Sequence, residues 1–175
     1  MRSVVAAVAA VLLLAGCAGD DEPTSLPTAT PTEPLWNPCD SLEVTEVGAW
    51  FDARFTQDSG TPTAPVCTFT PEAEGGPALD ANYMLFPEGL DAVFESMTVD
   101  PEDVREVRVP GADAARVVVD FDDRQLFVSG FVQNGDLIQT VDVVDPLPYD
   151  EARVVRAVRS ILAEFSAAAP QGGSS

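Results

Sequence analysis

The sequence predicts an α+β domain: a single twisted, mostly antiparallel sheet of about six strands, covered by an N-terminal, a middle and a C-terminal helix. Three observations predict it. Stretches such as "ALDANYMLF" alternate apolar and polar residues with the period of a strand. In "QLFVSGFVQNGDLIQTVDVV" two β-rich runs flank Asn134-Gly135, which predicts an antiparallel hairpin closed by a type I′ turn centred on that dipeptide. "DEARVVRAVRSILAEF" instead repeats its apolar residues at helical spacing.

Taken in order, "NPCDSLEVTEVGAWF" reads as the first helix. Asp40 is placed to cap it and Glu43 to complete a capping box, with Val44, Val47 and Phe51 on one face and Trp50 flanking. "PVCTFT" is a short strand after a Pro-rich loop. In "ALDANYMLF" the residues Leu79, Ala81, Tyr83 and Leu85 share one side, and Asp80 and Asn82 the other. "EGLDAVFESM" reads as a short helix presenting Leu90, Val93, Phe94 and Met97. "VREVRV" and "AARVVVDF" follow as strands, separated by the turn pair Pro110-Gly111. After the Asn134-Gly135 hairpin, Asp150 can cap the last helix, with Tyr149 and Val154 as a hydrophobic staple. Its buried stripe is Val154, Val158, Ile161, Leu162 and Phe165, while Arg153, Arg156 and Arg159 form a basic ridge away from it. Such a ridge is a solvated face or a docking surface.

The N-terminus belongs to no domain. Arg2 precedes an uninterrupted apolar run from Val4 to Leu14, too short to span a bilayer comfortably and right for a signal peptide. It ends in Leu14-Ala15-Gly16-Cys17, which resembles the bacterial lipobox. That resemblance implies cleavage after residue 16 and a diacylglyceryl group on the Cys17 thiol. Cys17 is thus expected to hold the protein on the outer face of the cytoplasmic membrane, made stable by a second acyl chain such as palmitate. Residues 17–36 carry four Pro and four Thr with almost nothing to bury, and read as a tether. The single domain then spans 37–167, and 168–175 fade into a disordered tail.

Composition narrows the chemistry. The chain has neither His nor Lys, which excludes imidazole ligands for zinc, Ser-His and Cys-His nucleophiles, Schiff-base lysines and the P-loop lysine. Loss of the leader removes only Arg2, leaving 8 Arg against 29 Asp and Glu. That charge repels nucleic acid, so none is expected as a partner. Cys39 and Cys67 remain after Cys17, and in an oxidising compartment an even pair reads as a disulfide. Carboxylates are the residue type left for catalysis, and no spacing singles out a pair. "DFDDR" places Asp120 and Asp122 at the first two positions of a calcium loop, but Arg124 stands at the third ligand and Gln125 where the loop requires Gly. It reads as a hairpin turn, and neither a metal nor a cofactor is expected.

The lipobox, the Thr/Pro tether, "PCDSLEVTEV", "VCTF", "VPGADAARV" and the amphipathic last helix together resemble a group of small actinobacterial lipoproteins. That group is catalogued as a domain of unknown function. It is similar to extracellular sensor domains of some receptor kinases and, more remotely, to PsbP-like folds. The resemblance spans the chain after the leader, and Pro38-Cys39, Cys67 and Pro110-Gly111 carry it most specifically. Members often have Trp two residues after the second cysteine, where this chain has Phe69. The resemblance transfers no catalytic residue. It implies a lipid-anchored, disulfide-bonded envelope domain that binds or senses a small molecule or an envelope protein. Two other readings stand beside it: a carboxylate-dependent hydrolase of cell-wall glycans, and a structural component of the envelope.

Overall fold

The computed structural model describes residues 36–61 and 64–170. The leader, Cys17 and the tether through residue 35 lie outside the described residues, as does the end of the tail from residue 171. The domain is α+β, with three helices and one antiparallel sheet of seven strands. The strands are β1 (Phe55–Thr61), β2 (Ala64–Pro71), β3 (Ala78–Leu85), β4 (Val104–Glu106), β5 (Ala114–Phe121), β6 (Gln125–Asn134) and β7 (Leu137–Pro146). The helices are α1 (Val44–Phe51), α2 (Gly89–Ser96) and α3 (Glu151–Ala168). The sheet order is β1-β2-β3-β7-β6-β5-β4, which leaves β1 and β4 at the edges.

The seventh strand is β1, which the sequence reading merged into a Pro-rich loop. Only Phe55 of its seven residues is buried, so it has no period-two apolar pattern to detect. Its order comes from pairing with β2, where Phe55 stands opposite Pro71 and Gln57 opposite Phe69.

Strand alternation sends Leu79 and Ala81 of β3, Val117 and Val119 of β5, Val128 and Val132 of β6, and Val141 and Val143 of β7 to one face. The predicted stripe of α3, from Val154 to Phe165, lies buried against that face together with Val47 and Phe51 of α1. Gly130 lets α3 settle onto β6, since a Cβ there would fall 2.5 Å from Val158 Cγ1. Asp150 caps α3 as expected: its Oδ1 accepts from the Arg153 N–H at 3.0 Å. Tyr149 and Val154 both belong to the same apolar cluster.

Four local expectations are corrected. The first concerns the start of α1, where Asp40 is no cap. Pro38–Ser41 form a separate 3₁₀ turn, capped by the Asn37 side chain accepting from Cys39 N–H at 3.0 Å. Glu43 stands at the α1 N-cap without a side-chain bond, so no capping box forms. The extra turn buries Leu42 and brings Cys39 against Cys67.

The second concerns the β6–β7 turn, which is displaced by one residue. Asn134 pairs with Leu137, so Gly135 and Asp136 are the two central residues. Gly135 has φ 61° and Asp136 is not in the left-handed region, which fits type II′ rather than type I′. Asn134 is held in the strand because its Nδ2 donates to Gly111 O and Ser166 Oγ, each at 3.1 Å.

Third, Trp36, which the sequence reading gave to the tether, is buried edge-on against Phe165 and Tyr83. Fourth, two residues assigned to apolar faces sit at rims: Leu85 is exposed at the end of β3, and Met97 follows the last residue of α2.

Candidate ligand-binding cleft

The face of the sheet opposite α3 is only partly covered. α2 lies across one end of it, with Leu90 and Val93 buried against Phe131 and Ile138. Gln133 fastens the start of that helix by accepting from the Leu90 N–H at 2.8 Å. Between α2 and the edge strand β4 runs a cleft of ≈520 Å³. Phe94, Val99, Pro101 and Val104 form its apolar walls, and Arg116 lies at its base.

Arg116 comes from the middle of β5 and its side chain is only 18% exposed. Its guanidinium stacks on Phe94, 4.8 Å from the ring centroid, and Phe94 meets Phe131 edge-on. It donates to Asp91 Oδ1 of α2, and Glu106 of β4 lies 3.9 Å away. One cation thus ties the sheet, α2 and the edge strand together. A second cleft of ≈590 Å³ continues past Asp91, Glu106 and Arg116 toward Arg108 and Asp113. The lining of the first cleft holds three carboxylates, Asp91, Glu95 and Glu106, against the one guanidinium. With Arg116 already paired, the unbalanced charge facing the opening is negative. The cleft is an open groove, four of whose eight lining residues are apolar and four charged.

The remaining residues singled out from the sequence fall elsewhere. Cys39 and Cys67 form the expected disulfide, with Cα atoms 5.1 Å apart, within the span such a bond permits. It links the 3₁₀ turn to β2, at the far end of the sheet from the cleft. In "DFDDR" Asp120 and Phe121 end β5, and residues 122–124 make the β5–β6 hairpin turn. Asp120 Oδ1 accepts from Phe121 N–H, and Asp122 Oδ1 accepts from the N–H groups of Arg124 and Gln125 at 2.7 and 2.9 Å. The Arg124 N–H bond chiefly holds the Asp122 carboxyl below the usual carboxylate range, with the Gln125 N–H and the Arg124 charge adding to it.

The basic ridge does not form as three residues. Arg156 and Arg159 are exposed, and neither has an ion pair among the described residues. Arg153 instead turns toward Asp145, whose carboxylate is buried and lies 3.8 Å from Arg153 Nη2. Burial pushes the Asp145 carboxyl up, Arg153 opposes that, and Asp150 adds to it.

The sheet also assembles a carboxylate pair that no sequence spacing revealed. Asp80 of β3 stands directly opposite Asp142 of β7 on the uncovered face. Thr68 and Ser129, their outer neighbours, donate a hydroxyl to each. Both acids are exposed. The cleft residues had one sequence signal: Arg116 is a lone charge inside the apolar run "AARVVV".

Comparison of the chain with protein-family models, curated proteins and solved structures finds no match. The functional reading therefore rests on this geometry.

Proposed function

We propose that the chain is an exported envelope lipoprotein, anchored through Cys17, whose domain is a non-catalytic binding module with the α2–β4 cleft as its ligand site. The observation that carries the binding reading is the cleft's composition: apolar walls, an arginine already neutralised by Asp91, and a surplus of carboxylate at the opening. Such a lining favours a ligand with an apolar body and a positive charge, and the formal charge of −20 attracts the same class at long range. The leader, the lipobox and the tether support the anchored, extracytoplasmic part of the reading.

The glycan-hydrolase alternative would rest on Asp80 and Asp142. A general acid of that mechanism must be kept protonated near neutral pH, which takes burial in an apolar pocket. Both carboxylates are instead exposed and each accepts a hydroxyl, so neither sits in a buried apolar pocket. The non-catalytic reading is accordingly preferred.

The test is thermal unfolding with hexylamine and, separately, hexanoate, which share an apolar tail and differ in charge. The amine is expected to raise Tm with dose and to do so less in Glu95→Gln, while hexanoate has no effect. Equal shifts from both, or none from either, would overturn the assignment of the cleft. The anchoring half is tested by Cys17→Ser in the exporting cell, which should release the protein from membranes or leave it uncleaved. A normally cleaved variant that stays on the membrane refutes it.

A further inference from the structure

We infer that the partner is an extended basic polypeptide segment, which adds to β4 as an eighth strand and sends alternate side chains into the α2–β4 cleft. The inference rests on the cleft being the binding site and names its ligand class. It starts from the edge. β4 pairs with β5 on one side only, with Val104 opposite Val118 and Glu106 opposite Arg116. Two bonds set the phase: Asp103 O accepts from Val119 N–H at 3.1 Å, and Val107 N–H donates to Ala115 O at 3.1 Å. In an antiparallel ladder these groups alternate sides, so odd residues here bond to β5 and even ones face outward. Glu106 N–H and the carbonyls of Val104 and Glu106 are therefore presented to solvent, whereas Val104 N–H is turned back to Pro101 O at 3.4 Å.

The two sheet edges are not equivalent. β1 carries a register irregularity between Asp58 and Gly60, a bulge of the kind that protects an edge from pairing. The three-residue β4 ladder is regular. Beside β4 stands α2, and Val104 and Glu106 line the same cleft as Phe94 and Glu95. A strand laid along β4 would use the open backbone groups for affinity and present every second side chain to that cleft for selectivity. Charge chooses the partner: three carboxylates line the cleft against one paired guanidinium. In a segment alternating basic and apolar residues, the basic set faces the cleft, with its aliphatic stems along the apolar walls and its charges at the carboxylates, while the apolar set lies on the other face of the sheet.

The experiment uses fluorescence anisotropy with a labelled, end-blocked peptide of about ten residues, alternating lysine and valine, the upper range of strand length. Two derivatives are N-methylated, one on every lysine amide and one on every valine amide. A strand presents only one of these sets to its neighbour. One derivative should therefore lose at least about tenfold in affinity relative to the other. Amide exchange at Glu106 should slow in the complex, and Glu95→Lys should weaken the parent peptide severalfold without changing Tm. Equal affinity of the two methylated peptides, unchanged exchange at Glu106, or equal binding of a glutamate-valine peptide would each overturn strand addition. If the peptides fail while hexylamine still binds, this inference falls and the cleft reading stands. If both fail, both fall.

Discussion

The two ends of the sheet are fastened by different physics. At the β1–β2 end the Cys39–Cys67 disulfide joins the first turn to β2, and Phe51, Phe55 and Phe69 meet edge to face over it at centroid distances of 6.1 and 6.0 Å. All three rings are buried. Each such ring contributes roughly 1.5–3 kcal/mol through burial alone, and neither rings nor covalent bond respond to ionic strength. At the β4–α2 end the buried cluster of Leu90, Val93, Phe131 and Ile138 holds α2, and ion pairs add to it: Arg116 to Asp91 and Glu106, and Arg105 to Glu151 at 2.9 Å. Partly exposed ion pairs are worth about 0–1 kcal/mol and weaken with salt. One end is locked covalently, and the other adds to its apolar cluster ion pairs that a charged partner can exchange. The proposed cleft lies at the second end.

The largest effect should come from breaking the locked end. Replacing both Cys39 and Cys67 by Ser should cost about 3–4 kcal/mol on the chain-entropy account. Urea unfolding should give the same loss at low and at high salt. A loss that changes strongly with salt would mean the β1–β2 end is not the salt-indifferent one.

A smaller effect is expected at the exchangeable end. Asp91→Asn removes the exposed partner of Arg116 and should cost about 1 kcal/mol or less at low ionic strength. The loss should fade in about 1 M salt, where the screening length is roughly 3 Å. A large, salt-independent loss would show that Arg116 is structurally fixed and would erase the contrast between the ends.

The last effect sharpens the comparison with a charge that belongs to neither end. Asp145 is buried beside Arg153 near the start of α3, and its carboxyl is raised. The unfolded chain therefore ionises at this position first as pH rises. The contribution of Asp145 to stability is best below its unfolded value, near pH 3.8, and declines as pH climbs through the higher folded one. Asp145→Asn should accordingly gain on the wild type as pH rises from about 3.8 through the raised folded value in paired urea titrations. A difference that stays flat across that window contradicts the raised carboxyl.

Local signals in the chain reached far. The α3 stripe and its Asp150 cap, the β6–β7 hairpin and the Cys39–Cys67 pair were all legible, because each depends on residues close together or on simple arithmetic. The expected leader and tether and the resemblance to a lipobox were read from local sequence, and apart from Trp36 they fall outside the described residues. What the chain alone did not disclose depends on partners distant in sequence. β1 is a strand because β2 pairs with it, not because its own residues alternate. The hairpin turn moved by one residue because Gly111 and Ser166 hold the Asn134 side chain. Asp80 and Asp142 became neighbours through the β3–β7 register, across 62 residues. The cleft needed α2, β4 and β5 together, so Arg116 meets Asp91 and Glu106 only through the sheet order. Short-range periodicity and capping are written in adjacent residues. Edge position, facing charges and concave surface arise only when the chain closes on itself and long-range pairing decides which side chains meet.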